Sequence, residues 1–270
     1  MAKTTPDAPT AAAATDCTTA DNNDGKLTGV TAAMEYKKSD AADWTAGTGS
    51  DITGLVPGTY YVRVKATETT NASTNQELTI KGFISYTVTF KVVNGKWNDE
   101  TTADKTVTLT GHDGDTLTLT AGQIPAVGTK PNDNYKAGSW DTEPNTTAAI
   151  TAAATYTYTY AEKAAQTITA DNVTATYGDT GKSVSASVTT PATDGGAISY
   201  AVKEGTDYID IDPSTGALTI KKAGTATVVV TAAENANYNQ ATKEVTVTIN
   251  KADPTVTAPT AVSGLVYTGS

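Results

Sequence analysis

Between Ala197 and Asn250 the chain reads AISYAVKEGTDYIDIDPSTGALTIKKAGTATVVVTAAENANYNQATKEVTVTIN, and this stretch constrains the fold more than any other. Short β-branched runs recur at Ile198–Val202, Tyr208–Ile211, Ala217–Ile220, Thr225–Thr231 and Glu244–Ile249. Read with a period of two, successive side chains fall on opposite faces of a strand, so each run becomes a strand with one buried face. Glu-Gly, Asp-Pro-Ser-Thr-Gly, Ala-Gly and an Asn-rich segment separate the runs with residues that favour turns. Short strands joined by tight turns predict an antiparallel sandwich.

The same phrase occurs twice. GTYYVRVKA, opening at Gly58, returns as GTATVVVTA, opening at Gly224. In the first copy Tyr60, Val62, Val64 and Ala66 alternate with Tyr61, Arg63 and Lys65, which predicts one apolar face and one charged face. In the second copy Ala226, Val228, Val230 and Ala232 take the inward places. An Asn-rich loop and a closing strand follow each copy, Glu77-Leu78-Thr79-Ile80 and Glu244-Val245-Thr246-Val247, so two modules are expected to end in the same hairpin. KAAQTITA at Lys163–Ala170 likewise returns as KADPTVTA at Lys251–Ala258, a spacing of about one Ig-type domain. Val266-Tyr267 then stands where Thr176-Tyr177 stood. Residues 252–270 are therefore expected to be the first strand of a further repeat, disordered or extended along its neighbour, and the chain to be a piece of a tandem array.

Composition agrees with small modules. In 270 residues hydrophobic side chains make up 38% and charged ones 18%, a balance suited to thin β cores with polar outer faces. Tyrosine, at 13, outnumbers the two phenylalanines, as expected where each sheet has one wet face. The formal net charge is -10 and no run of Lys or Arg occurs, which argues against nucleic acid or anionic membranes as partners. Cys17 is the only cysteine, so neither an intramolecular disulfide nor a cysteine metal cluster can form. No apolar stretch is long enough to span a bilayer. The start lacks an apolar signal-peptide core; Met1–Lys3 reads as an added start, with the natural chain expected to continue at both ends.

Three resemblances divide the chain. LVPGTYYVRVKA in the first 81 residues is similar to a phrase of fibronectin type III modules, with its alternation displaced by one residue, which leaves that module or another Ig-like sandwich open. From Phe83 the chain runs FISYTVTFKVV, turns at Asn94-Gly95-Lys96, and continues through KTVTLT and DTLTLT, expected to pair as a hairpin across Gly-His-Asp-Gly. Its ending, with Tyr135, Trp140, Ile150, Thr151, Tyr156 and Tyr158, resembles the Listeria–Bacteroides repeat family, which implies a small β-grasp-like module of bacterial surface proteins. VTATYGDTGKSVSASV followed by IDIDPSTGALTIKKAGTATVVVTA resembles bacterial Ig-like group 2 domains. The expected organisation is all-β and elongated: a sandwich at 1–81, a β-grasp-like module at 82–163, an Ig-like domain at 164–251 and the partial repeat at 252–270. Lys81-Gly82 and Ala161–Ala165 read as short linkers. One short helix fits at Ala121–Val127, with Thr120 as cap and Pro125 ending it early.

Few residues offer chemistry. His112, the sole histidine, reads as the solvated tip of a Gly-His-Asp-Gly turn, in a different module from Cys17, so no nucleophile–base pair is expected. Asp207, Asp210 and Asp212 are spaced so that they could share a cation, although Asp212-Pro213-Ser214-Thr215-Gly216 is also a good turn. Asp21-Asn22-Asn23-Asp24-Gly25 fails as an EF-hand loop, because Ala20 and Thr31 fall on ligand positions. Trp44 and Trp140 read as core or sheet-end residues, and Trp97, in the polar loop NGKWNDE, as an exposed platform on which a sugar could stack. Lys182 and Asn250 are the pair to inspect for a covalent self-cross-link of the kind seen in similar Gram-positive stalk domains.

These readings converge on a non-catalytic stalk or adhesion segment of a bacterial, Gram-positive, cell-surface protein. It is expected to be extracellular, monomeric and without cofactor, a structural calcium being the one open addition. Its partner would be a host or environmental protein or glycan receptor. The alternative is a glycan-binding accessory region of a larger secreted carbohydrate-active enzyme.

Overall fold

The computed structural model describes residues 2–260, 263, 264, 267 and 269. It is all-β and divides into two compact units, Met1–Asn132 with Ala137–Tyr160, and Asp133–Lys136 with Ala161–Ser270.

The first unit opens with seven strands, β1 (Ala13–Thr15), β2 (Gly25–Thr28), β3 (Met34–Lys38), β4 (Thr45–Ala46), β5 (Ile52–Leu55), β6 (Gly58–Val64) and β7 (Gln76–Ile80). They form two sheets, in the orders β1-β2-β5 and β4-β3-β6-β7. Leu27 and Ile52 from the first sheet meet Tyr60, Val62 and Ile80 from the second, with Cys17 fully buried among them. The alternation read from GTYYVRVKA thus places Tyr60 and Val62 inward. Ala66, expected inward as well, is exposed because β6 ends at Val64 and the chain has already left the sheet. A buried phenol must place its polar end, and the Tyr60 hydroxyl donates to the Val56 carbonyl at 2.9 Å.

The chain continues with β8 (Phe83–Val93), β9 (Gly95–Lys96), β10 (Lys105–His112), β11 (Lys130–Pro131), β12 (Tyr135–Trp140) and β13 (Ala154–Glu162), all in the same unit but for the first two residues of β12 and the last two of β13. The main sheet has the order β10-β8-β13-β12. β8 runs antiparallel to β10, from Lys105↔Phe90 to His112↔Phe83, and parallel to β13, from Ala154↔Val88 to Thr159↔Val93. The hairpin expected between KTVTLT and DTLTLT does not form. β10 pairs with β8 instead, and residues 115–120 make no strand. Their alternation still orders the packing, since Leu119 is buried and Leu117 is packed beside it while the Leu117 carbonyl accepts from Ile150 N–H at 2.8 Å. The expected helix shrinks to one 3₁₀ turn, Ala121–Gln123, where Thr120 N–H donates to Gln123 Oε1 at 2.8 Å.

This core is aromatic. Phe90 stacks on Tyr156 with centroids 5.7 Å apart, and Trp140 meets Phe90, Trp97 and Tyr158 edge-on or tilted at 6.1, 6.1 and 5.5 Å. Such offset and edge contacts suit the ring quadrupoles. Tyr160, 1% exposed, is fixed by its hydroxyl, which donates to Lys96 O at 2.9 Å and accepts from Gly128 N–H and Lys130 N–H, both at 3.0 Å.

The second unit contains β14 (Thr167–Ala170), β15 (Val173–Thr176), β16 (Ala186–Thr190), β17 (Ile198–Glu204), β18 (Ile209–Ile211), β19 (Leu218–Ile220), β20 (Gly224–Ala232) and β21 (Ala241–Asn250). A four-stranded sheet β15-β21-β20-β17 faces the pair β14-β16, and β18-β19 forms a separate ribbon. Ala226, Val228, Val230 and Ala232 of β20 are all buried, with Val245, Val247 and Ile249 of β21 beside them. Each of the five runs read between Ile198 and Ile249 overlaps one strand of this unit, β17 to β21 in order. Residues 252–260 are exposed and form no strand. Val266, matched above to Thr176, lies outside the described residues.

Candidate functional site

The three carboxylates near β18 do not converge. Asp210, on β18, pairs with Lys221. Asp212 turns back on its own loop, where Oδ1 accepts from Ser214 N–H at 2.9 Å and Thr215 N–H at 2.7 Å. The Thr215 N–H, followed by its side chain and Ser214 N–H, holds the Asp212 carboxyl below its ordinary range. Asp207 is exposed. Among the described residues no group of three His, Cys, Asp or Glu side chains is arranged to hold a metal ion.

Trp97 is not the exposed platform its loop suggested. It is 0% exposed, the largest fully buried side chain among the described residues, and its indole N–H donates to the Ala103 carbonyl at 2.9 Å. Residues 98–104 make this possible: the Trp97 amide bonds to Thr101 O, and Asp99 accepts from Thr101 and Lys105. The polar loop is therefore a cover, with the ring beneath it. Trp44 is half-buried, with the Arg63 guanidinium 3.8 Å from its ring centroid and the Lys37 ammonium at 5.4 Å. Arg63 is itself held by Glu35 at 2.7 Å, so one face of the Trp44 ring is already covered.

His112 is not a solvated tip either. It closes β10, with Nε2 3.0 Å from the Cys17 carbonyl oxygen and its own amide donating to Asp115 Oδ2 at 2.8 Å. The sole histidine and the sole cysteine are thus neighbours, which their separation in sequence concealed. They do not form a nucleophile–base pair, because the imidazole reaches the backbone of Cys17 while the thiol is buried against Leu55 O at 3.7 Å.

Lys182 and Asn250 lack the setting a self-cross-link needs. The Lys182 side chain is 41% exposed and its ammonium lies 3.3 Å from Asp179. Asn250 is exposed at the end of β21, where its carbonyl accepts from Tyr177 N–H at 2.8 Å. Attack on an amide requires an amine buried beside it, and this lysine is part-exposed and turned to Asp179.

Sequence reading passed over Tyr177. Its ring, 53% exposed, stands between two open hollows of about 360 and 380 Å³. Lys221, Lys222 and Lys251 line one, and the turn Gly178–Gly181 with Leu218–Ile220 lines the other. Lys221 is engaged with Asp210 and Thr206 O. The one signal available was an aromatic residue just past a strand end, which carries little by itself.

Residues 161–263 match a family model described as the viral BACON domain. None of the curated proteins compared with the chain matches it. Among solved structures, human CDH23 EC21-23 is similar at 13% identity with a TM-score of 0.29, covering 83% of this chain and 92% of that one. Drosophila N-cadherin EC1-4 follows at 12% and 0.25, covering 83% and 69%, and the S-layer protein rSbsC(31-844) at 16% and 0.23, covering 91% and 41%. Likeness at these TM-scores carries no argument; the all-β architecture rests on the strands themselves.

Proposed function

We propose that the chain is a non-catalytic stalk or adhesion segment of an extracellular surface protein, spacing or presenting regions that bind a protein or glycan receptor. One observation carries this reading: most of the side chains singled out for chemistry hold structure instead. His112 bonds a backbone carbonyl, Cys17 fills a core, Asp212 closes a turn, Asp210 pairs with a lysine and Trp97 is buried. The bacterial surface remains the first location in this proposal. A virus particle is the second, favoured by the family matched at 161–263. The accessory-module alternative loses the aromatic platform on which it rested.

The proposed division keeps a fibronectin type III-like sandwich at 1–81, a β-grasp-like module at 82–163, a bacterial Ig-like domain at 164–251 and a partial repeat at 252–270. The sheet orders β1-β2-β5 and β4-β3-β6-β7 support the first, as does the tyrosine hydroxyl bonded four residues upstream. The order β10-β8-β13-β12, with first and last strands parallel at its centre, supports the second. Small-angle scattering of the whole chain tests the reading. A rod-like pair-distance distribution is expected, and a compact particle overturns the stalk.

A further inference from the structure

We infer that the segment Lys81–Phe83, whose first two residues read as a linker, is a clasp that welds the first sandwich and the aromatic-cored sheet into one cooperative body with no hinge between them. Linker backbone ordinarily runs over the surface and leaves its N–H and C=O groups to water. Here all three residues are bonded on both sides by protein. Lys81 N–H donates to Asp16 Oδ1 at 2.7 Å and Lys81 O accepts from Cys17 N–H at 3.0 Å. Gly82 N–H donates to Asp113 Oδ2 at 3.1 Å, and Gly82 O accepts from Asp113 N–H at 2.9 Å. Phe83 N–H donates to Asn22 Oδ1 at 2.6 Å and its carbonyl accepts from Asn22 Nδ2 at 3.2 Å.

The partners alternate between the two sides. Asp16, Cys17 and Asn22 belong to the first sandwich, Asp113 to the turn after β10. Asn22 copies a strand neighbour with its side-chain amide, presented from a left-handed backbone at φ 51°. His112 reaches back from β10 to the Cys17 carbonyl, so the Cys17 backbone is held by Lys81 on one side and by the imidazole on the other. Apolar packing crosses the joint too, because Phe83, the first residue of β8, packs against the core of the first sandwich.

Gly82 shows how tightly the clasp closes. It is buried, and a Cβ there would lie 2.5 Å from Asp113 Oδ2 and 3.2 Å from Pro57 Cγ. Polar groups bonded directly and a buried linker residue leave no slack through which the two parts could swing. Bending at this point requires breaking the clasp, and the loss of either fold removes part of the clasp's bonding, the four bonds to Asp16, Cys17 and Asn22 or the two to Asp113. The inference does not depend on whether the chain is a stalk.

Native-state hydrogen exchange under rising denaturant, followed by mass spectrometry on the full chain, tests it. Peptides from β6 and from β8 are expected to open together in the wild type, with the Lys81–Phe83 amides as protected as either. In N22A/D113A, and separately in a variant with two glycines inserted after Gly82, those amides should exchange at least about tenfold faster and the β6 and β8 openings should separate. The glycine insertion keeps every side chain, so a folding failure of the double mutant does not decide the outcome. Separate openings in the wild type overturn the inference, and so do coincident openings in the insertion variant. Scattering reports elongation independently, so a compact particle would sink the stalk and leave the clasp standing.

Discussion

Tyr160→Phe isolates one hydroxyl that ties down three backbone groups. The ring and its buried area stay in place, and what is removed is the donor to Lys96 O and the acceptor for Gly128 N–H and Lys130 N–H. A net protein hydrogen bond contributes about 0.5–1.5 kcal/mol, and a partner left unsatisfied out of water costs about 1–3 kcal/mol. Gly128 and Lys130 are only partly buried, so water can reach some of the orphaned groups. The expected loss is therefore about 2–4 kcal/mol. Tyr158→Phe is the matched control. It lies two residues away on the same strand, 7% exposed, and its hydroxyl accepts one bond, from Gly138 N–H at 2.9 Å. It should cost about 1 kcal/mol. Urea unfolding monitored by tryptophan fluorescence reads both as shifts in midpoint at unchanged slope. Equal losses in the two variants would refute the reasoning, because the rings are the same and only the number of bonds differs.

Three further outcomes follow from the same structure. Tyr60→Phe removes the donor to Val56 O from a phenol whose ionisation is pushed up by burial, and should lower stability by about 1 kcal/mol in the same assay. The Asp99 carboxyl should titrate at about 2 by NMR, held down first by its bond from Lys105 and then by Thr101. A lowered folded-state value stabilises above the unfolded value of 3.8 and is lost as pH falls towards 2; Lys105→Ala should move the midpoint up. Cys17, fully buried, should resist alkylation in the folded protein and react when the first sandwich opens, and fast labelling under native conditions would contradict that packing.

Strands were legible where a single residue's environment follows from its neighbours in sequence. Val228 and Val230 face inward because alternation on a one-sided sheet leaves them no other place. The failures lie where the partner is remote. Nothing local says whether Lys105–Thr110 pairs with the residues after it or with Phe83–Phe90 before it, since both offer alternating Thr and apolar side chains. In the fold Leu117 and Leu119 reach the core from an irregular segment, and β10 takes β8 as its partner. Ala66 failed for a simpler reason, the strand having ended two residues earlier.

The candidate site shows the same division more sharply. Local sequence offered a turn at Asp212-Pro213-Ser214-Thr215-Gly216 beside a cation site, and in the fold the Asp212 side chain closes that turn. Local sequence could not say which polar loop hides an apolar ring. NGKWNDE looks wet, yet a buried indole needs only one acceptor, and Ala103 O supplies it. Nor could it join His112 to Cys17, because that contact depends on how two separate sheets meet at Gly82. In a chain with thin cores, polar side chains that sequence reading sets aside for chemistry are the ones the fold uses to fix backbone where apolar packing runs out. A chain that spent Asn22, Asp113 and His112 on a joint has made that joint specific in a way that apolar contact alone, being non-directional, would not.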